Sequence, residues 1–364
     1  MNILDGEEES KSTNHSFAAA IGTARAAESH TSVIPQKLMS LQMDPVAHED
    51  SYRRALEFLK ANEPEKRLDI RLSPNSFRLL VEQAHTLYGD TRYPRVQYSA
   101  VDSRVIINTV PTALHSRSAA GLQALMWESV RTTLKRLNKG ELCKRVIPIG
   151  DSEYSIVDDE GRTSIKTPDG GLTYVSDEGN SALTFIIEAG VSEAYEQLRR
   201  DIKLWLNQFE SHTAMLMYLA EDPNFRNPTH GTSSTCSATE CGIFETAMSR
   251  TWRVSPFGPY CFRGHAWFGT LALASVEIFK KDSSTSRIKT KKHRVVVNGQ
   301  MTVEGDYVDV GLTVGDYFPA NHVATEDIRA EPVLIETDSL REILASGALD
   351  TAKTRFYKSF DKRN

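Results

Sequence analysis

The chain has 364 residues, 43 of them Lys or Arg and 48 Asp or Glu, for a formal charge of −5. That balance excludes a polybasic protein that coats nucleic acid through bulk charge, and leaves room for an enzyme with a local basic groove. Four cysteines in so long a chain exclude a disulfide scaffold, and there is no run of the roughly 18 apolar residues that a membrane span needs.

The first eleven residues, MNILDGEEESK, are acidic where a secretion signal is basic and then apolar. An intracellular protein, cytoplasmic or nuclear, with no membrane partner is the expectation. Residues 1–45 are rich in Ser, Thr, Ala, Glu and Asn and poor in large apolar side chains, which predicts a disordered tail. Residues 46–95 read as a helical extension with helices over 49–61 and 74–88. Ser73 can cap the second, Pro74 suits its first position, and Phe77, Leu80, Val81 and Ala84 share a face.

A short strand is expected at 104–108. It leads through Pro111-Thr112-Ala113-Leu114-His115 into a helix of about 20 residues. Leu122, Leu125, Met126, Val130, Leu134 and Leu137 form its core-facing stripe, and Lys139-Gly140 is placed to end it. Strands follow at 145–149, 153–157, 163–167, 172–176 and 183–188, with turns at 158–161 and 177–180. The near-continuous apolar run Leu183-Thr184-Phe185-Ile186-Ile187 predicts a central strand covered on both faces.

A helix over 192–209 carries Tyr195, Leu198, Ile202, Trp205 and Phe209 in one arc, with Ser192 as cap, and a strand at 214–219 comes next. Pro, Asn, Gly, Ser and Thr interrupt the pattern over 222–266, which reads as an insertion. Strands resume over 267–279, Asn298-Gly299 marks a hairpin, and a strand at 307–314 precedes a helix near 339–345. Residues 346–364 read as a C-terminal tail.

Two carboxylates stand at telling places in this order. Asp169 begins a strand, and Glu188 ends the apolar one 19 residues later, a separation that brings neighbouring antiparallel strands level. A carboxylate at the end of so apolar a strand is unfavourable unless it is paired or metal-bound. Two that converge make an oxygen-rich site suited to Mg²⁺ or Mn²⁺.

The run Pro168-Asp169, then Phe185-Ile186-Ile187-Glu188-Ala189-Gly190-Val191-Ser192-Glu193, then Asp201 to Trp205-Leu206, resembles the PD-(D/E)XK nuclease superfamily. The likeness is to its restriction-endonuclease-like branch of bacteria and fungi. Residues 104–115 and Gly315-Asp316-Tyr317-Phe318-Pro319 also resemble that branch, so the likeness spans about 95–345. The resemblance implies an α/β restriction-endonuclease-like core over 96–345: a mixed central β-sheet flanked by helices, with extra C-terminal strands.

It further implies metal-dependent hydrolysis of nucleic-acid phosphodiesters, DNA foremost, with Asp169 and Glu188 as ligands of Mg²⁺ or Mn²⁺ and a lysine beside them. The sequence departs at that lysine, because Gly190 stands two residues after Glu188. In the resembling branch the lysine can move to the following helix, where Lys203 is the candidate and Arg199 its neighbour one turn earlier. A guanidinium cannot serve as a base near neutral pH. His115 and Glu128 are further candidates for places near the metal.

Two rival features remain. Cys236-x4-Cys241 and Cys261-x3-His265 supply ligand types that structural zinc prefers, but their spacing is unfamiliar and zinc is not expected. Arg287, Lys289, Lys291, Lys292 and Arg294 form a basic run that either tracks phosphates or is a solvated loop. Besides the nuclease, two readings stay open. One is a nuclease-like fold without turnover that binds nucleic acid or a protein partner. The other is a zinc-stabilised interaction protein. A homodimer is also left open.

Overall fold

The computed structural model describes residues 45–61, 63, 65–89, 94–150, 153–157, 161–191, 195–208, 211–226, 237–282, 284–320, 322 and 325–361. The tail expected over 1–45 therefore lies, but for its last residue, outside the described residues, as do Ser192, Phe209 and Cys236. Among the described residues no helix is long and apolar enough to cross a membrane.

The first lobe is α1 (Pro45–Ala61), β1 (Arg67–Arg71), α2 (Pro74–Tyr88), β2 (Arg95–Ser99) and β3 (Arg104–Asn108). Ser73 caps α2 as expected, its Oγ accepting from the Ser76 N–H at 3.1 Å. The span read as purely helical thus also carries β1, which pairs antiparallel with β3. Leu59, Leu72, Leu80, Val105 and Ile107 give this lobe a core of its own.

The long helix α3 (Ala113–Arg136) is capped by Thr112, whose Oγ1 accepts from the His115 N–H at 3.0 Å. Asn138 rather than Gly140 turns the chain out of it. With φ at 56°, Asn138 lets the Lys139 N–H reach the Leu134 carbonyl at 2.8 Å. The strands β4 (Val146–Pro148), β5 (Tyr154–Val157), β6 (Thr163–Lys166), β7 (Gly170–Val175) and β8 (Ser181–Val191) follow. The β5–β6 hairpin joins the first lobe, in a sheet ordered β1-β3-β2-β6-β5. The chain therefore crosses from one sheet to the other at Thr167-Pro168-Asp169.

Next come α4 (Tyr195–Gln208), β9 (Thr213–Asp222), α5 (Ala238–Val254), β10 (Tyr260–Phe262), β11 (His265–Phe268), β12 (Thr270–Lys281), β13 (Ile288–Val297) and β14 (Gln300–Met301). The central sheet runs β14-β13-β12-β9-β8-β7-β4. Only β8 and β9, joined through α4, are parallel in it. The fold is mixed α/β with helices on both faces of this sheet, as the sequence implies. Ile187 and Ala189 of β8 pack with α3, whereas Ile186 packs with Trp205 and Leu198 of α4, so β8 is covered on both sides.

The described part of the segment read as an insertion is built into the core, because Phe244 and Met248 of α5 are buried there. Asn298 and Gly299 take φ values of 50° and 74° at the β13–β14 hairpin, as the turn demands. In place of one strand over 307–314 there is β15 (Tyr307–Val308), paired with β16 (Ile335–Glu336).

The last helix, α6 (Thr337–Asp361), runs through the segment expected as a tail. Gly347 explains the difference. A Cβ there would lie 3.0 Å from Leu114 Cα, so the glycine permits close contact with α3 rather than ending a helix. Beyond it Ala348, Ala352 and Phe356 are buried.

Candidate active site

Asp169 immediately precedes β7, and Gly170 pairs with Ile187 of β8. The register brings Asp169 level with Glu188. The next backbone amide, that of Ala189, donates to Asp169 Oδ2 at 3.0 Å. Glu188 lies on the α4 side of β8 and is 6% exposed. Both acids face a cleft of about 850 Å³ between the first lobe and the central sheet, which Arg95, His115 and Asp201 also line.

The two carboxyl groups have opposite surroundings. Arg95 Nη1 donates to Asp169 Oδ1 at 2.9 Å, and His115 Nε2 lies 3.2 Å from Oδ2. Burial favours the neutral acid, but the charge and hydrogen bond of His115, together with Arg95 and the Ala189 amide, hold Asp169 well below the usual range. Burial pushes Glu188 up to about 8. Repulsion from Asp169 and Asp201 adds to this, while Lys166 and Trp205 oppose it.

Trp205 Nε1 donates to Glu188 Oε1, and Lys166 Nζ lies 3.4 Å from that same oxygen. Glu188 Oε2 has no partner among the described residues.

A stability test follows from the sign of the Glu188 shift. A carboxyl whose folded pKa is raised loses stabilisation as pH climbs from its ordinary 4.5 through about 8. Without metal, Glu188→Gln should therefore melt above wild type at pH 8. The two should converge below pH 4.5, as differential scanning calorimetry would record.

Lys166 was not singled out from the sequence. It ends β6 with 4% exposure, its Nζ also 3.5 Å from Asp201 Oδ1 and 5.2 Å from the Trp205 ring centroid. These are ion-pair distances, and the ammonium makes no hydrogen bond to either acid. On β6 Ser164 and Lys166 are buried while Ile165 packs on the first lobe. An inward lysine at the end of a strand, three residues before Asp169, is the signal that could have found it.

Position 190 is closely packed, so a side chain there would displace Leu198. A Cβ on Gly190 would come within 2.2 Å of Leu198 Cδ1, which packs α4 against β8.

Lys203 is exposed and does not line the cleft. Arg199 lies on another side of α4, its Nε 3.8 Å from Glu277 Oε1 and its guanidinium 5.7 Å from the Phe279 ring. Glu128 is on the exposed side of α3, with 59% of its side chain in solvent. His115 is the helix-borne candidate that reaches the site.

Arg287 precedes β13, but Lys289, Lys291, Lys292 and Arg294 are on the strand, not in a loop, and alternation divides them. Lys292 lies 4.0 Å from the Tyr195 ring centroid, whereas Lys291 runs beside Gly311 and Lys289 pairs with Asp282 at 3.5 Å. None of these, nor Arg294, lines the cleft. Cys241 is half-buried, and Cys261 and His265 are exposed.

The donor set at the cleft floor fits a divalent metal. Mg²⁺ is commonly held by one or two carboxylates, the rest of its shell being water and substrate phosphate. Two level carboxylates, one with an oxygen unclaimed by the protein, meet that description. Among the described residues no group of three or more His, Cys, Asp or Glu side chains is arranged to hold an ion. Further ligands would therefore be water and phosphate.

No family model matches the chain, and no curated protein matches it. Among solved structures the chain is similar to a DUF820 protein from Anabaena variabilis, described as a candidate nuclease. The TM-score is 0.31 and the identity 9%, over 69% of this chain and 92% of that one. A superposition that loose assigns no activity.

Proposed function

We propose that the chain hydrolyses phosphodiester bonds of nucleic acid, DNA foremost, at Asp169 and Glu188 with Mg²⁺ or Mn²⁺. The carrying observation is the open Glu188 Oε2, level with Asp169 at the cleft floor, with an ammonium against the other oxygen. This is the donor set of the PD-(D/E)XK pattern, with Lys166 from β6 in place of the lysine that Gly190 cannot supply. A bound metal would supply charge stabilisation for the phosphate and a more acidic water.

The chain's own residues do the rest. Asp169, kept ionised by Arg95 and His115, and Glu188 would hold the ion. Trp205 fixes Oε1, so that Oε2 is the oxygen presented. Lys166, whose three donors are not committed to hydrogen bonds, lies behind Glu188 rather than on the cleft wall and balances charge that develops at that carboxylate.

The test is incubation of plasmid and single-stranded DNA with Mg²⁺, Mn²⁺ or EDTA. Wild type should cut with metal, and Asp169→Asn and Glu188→Gln should not, while their circular dichroism stays that of wild type. A wild-type protein that cuts nothing with any metal would overturn the reading in favour of a binding module.

A further inference from the structure

The cleft extends well beyond the two acids, and its far end is chemically distinct. Glu188 pairs with Leu216 of β9. Five residues of strand at about 3.3 Å each put Glu221, at the far end, roughly 17 Å away. There Arg355 of α6 grips Glu221 through Nη1, at 2.8 and 2.9 Å, and Glu65 through Nη2 at 3.1 Å. The same guanidinium lies 4.3 Å from the ring centroid of Phe225, a half-buried side chain that lines the cleft.

With both glutamates held, Lys66 and Lys358 remain as exposed cations without an ion pair among the described residues. Of the other lining acids away from the floor, Asp69 pairs with Arg104 and Asp201 with Arg67 and Lys166, which leaves Glu63 to oppose them. The floor is recessed: the side chains of Asp169 and Glu188 are only 11% and 8% exposed.

We infer that the cleft takes a single-stranded nucleic acid, with its reacting phosphate at the floor, a base a few nucleotides further along on Phe225, and a phosphate beside that base at Lys66 and Lys358. The inference rests on the phosphodiesterase reading and gives it a substrate class. Three observations carry it. A cleft of about 850 Å³ is within the range, of the order of 300–1,000 Å³, that encloses small ligands, and so has room for a few nucleotides of a flexible strand. A duplex must be bent or kinked to bring its backbone down to recessed carboxylates, at a cost in deformation energy that a flexible single strand avoids. An aromatic ring backed by a guanidinium, with lysines beside it, is the stacking and charge arrangement that single strands use.

The probe is a short, mixed-sequence, labelled DNA oligonucleotide, single-stranded or annealed to its complement. Anisotropy with EDTA present reads binding, and cleavage with Mg²⁺ reads function separately. The single strand should bind on the order of 10-fold more tightly than the duplex, and Phe225→Ala should remove most of that preference. The Lys66→Gln/Lys358→Gln variant changes only exposed side chains. It should bind the single strand more weakly and with a shallower salt dependence.

Equal binding of the two forms, or single-strand binding untouched by both variants, overturns the inference even if DNA is cut. Preferential single-strand binding that both variants weaken, with no cutting under any metal, upholds the cleft's ligand and overturns the hydrolytic reading alone.

Discussion

Lys166→Met should lower the rate of DNA cleavage by a factor on the order of 10²–10⁴, the range for loss of a group that assists proton transfer or stabilises charge at the reacting centre. Lys203→Ala should leave the rate unchanged, since Lys203 is exposed and stands away from the cleft. A second readout separates catalysis from metal binding. Lys166 places a positive charge 3.4 Å from Glu188 and 3.5 Å from Asp201. Its removal relieves repulsion of a cation but also raises the Glu188 carboxyl further. At a pH high enough to ionise Glu188 in both proteins, Lys166→Met should therefore bind Mn²⁺ as tightly as wild type or more tightly while turning over far more slowly. Parallel loss of both properties would show that Lys166 acts by holding the site's shape.

Arg355→Met should be the most destabilising single change outside the apolar core. Its partner Glu221 has a side chain only 2% exposed and also accepts from the Gly269 N–H at 2.7 Å. A buried charge stripped of its partner typically costs about 3–5 kcal/mol. Chemical denaturation should show that loss, and Arg355→Met/Glu221→Gln should recover part of it. The Glu65 arm adds little, because that side chain is 28% exposed and screened by solvent.

Much of the central sheet was legible in the sequence, because β7, β8, α4 and β9 follow hydrophobic periodicity. The level placement of Asp169 and Glu188 could be read from their separation along two antiparallel strands. Elements shaped by tertiary packing were not legible. The helix expected near 339–345 runs on past Gly347, whose close approach to Leu114 only the tertiary structure shows, and it carries Arg355 in the segment expected as a tail.

The site lysine was missed for a related reason. Thr163-Ser164-Ile165-Lys166 reads as a strand with Ile165 inward and Lys166 in solvent. It lies between two cores, and its inward side depends on which sheet is meant. Lys203 has the right chemistry and a plausible helix, but nothing in the helical periodicity reveals that the α4 face toward Glu188 is already filled by Leu198 and Trp205. The basic run was legible as charge and not as geometry, since alternation on β13 splits it between two faces.

The central claim is that Glu188, with Asp169, receives a divalent cation in the cleft. Calorimetric titration of Mn²⁺ at neutral pH, in buffers of different ionisation enthalpy, tests it most directly. Because Glu188 is raised to about 8, binding must expel its proton, so wild type should bind Mn²⁺ with a buffer-dependent heat. Glu188→Gln should bind far more weakly and show no such dependence. Indistinguishable titrations of wild type and Glu188→Gln, or no binding by either, would contradict the account.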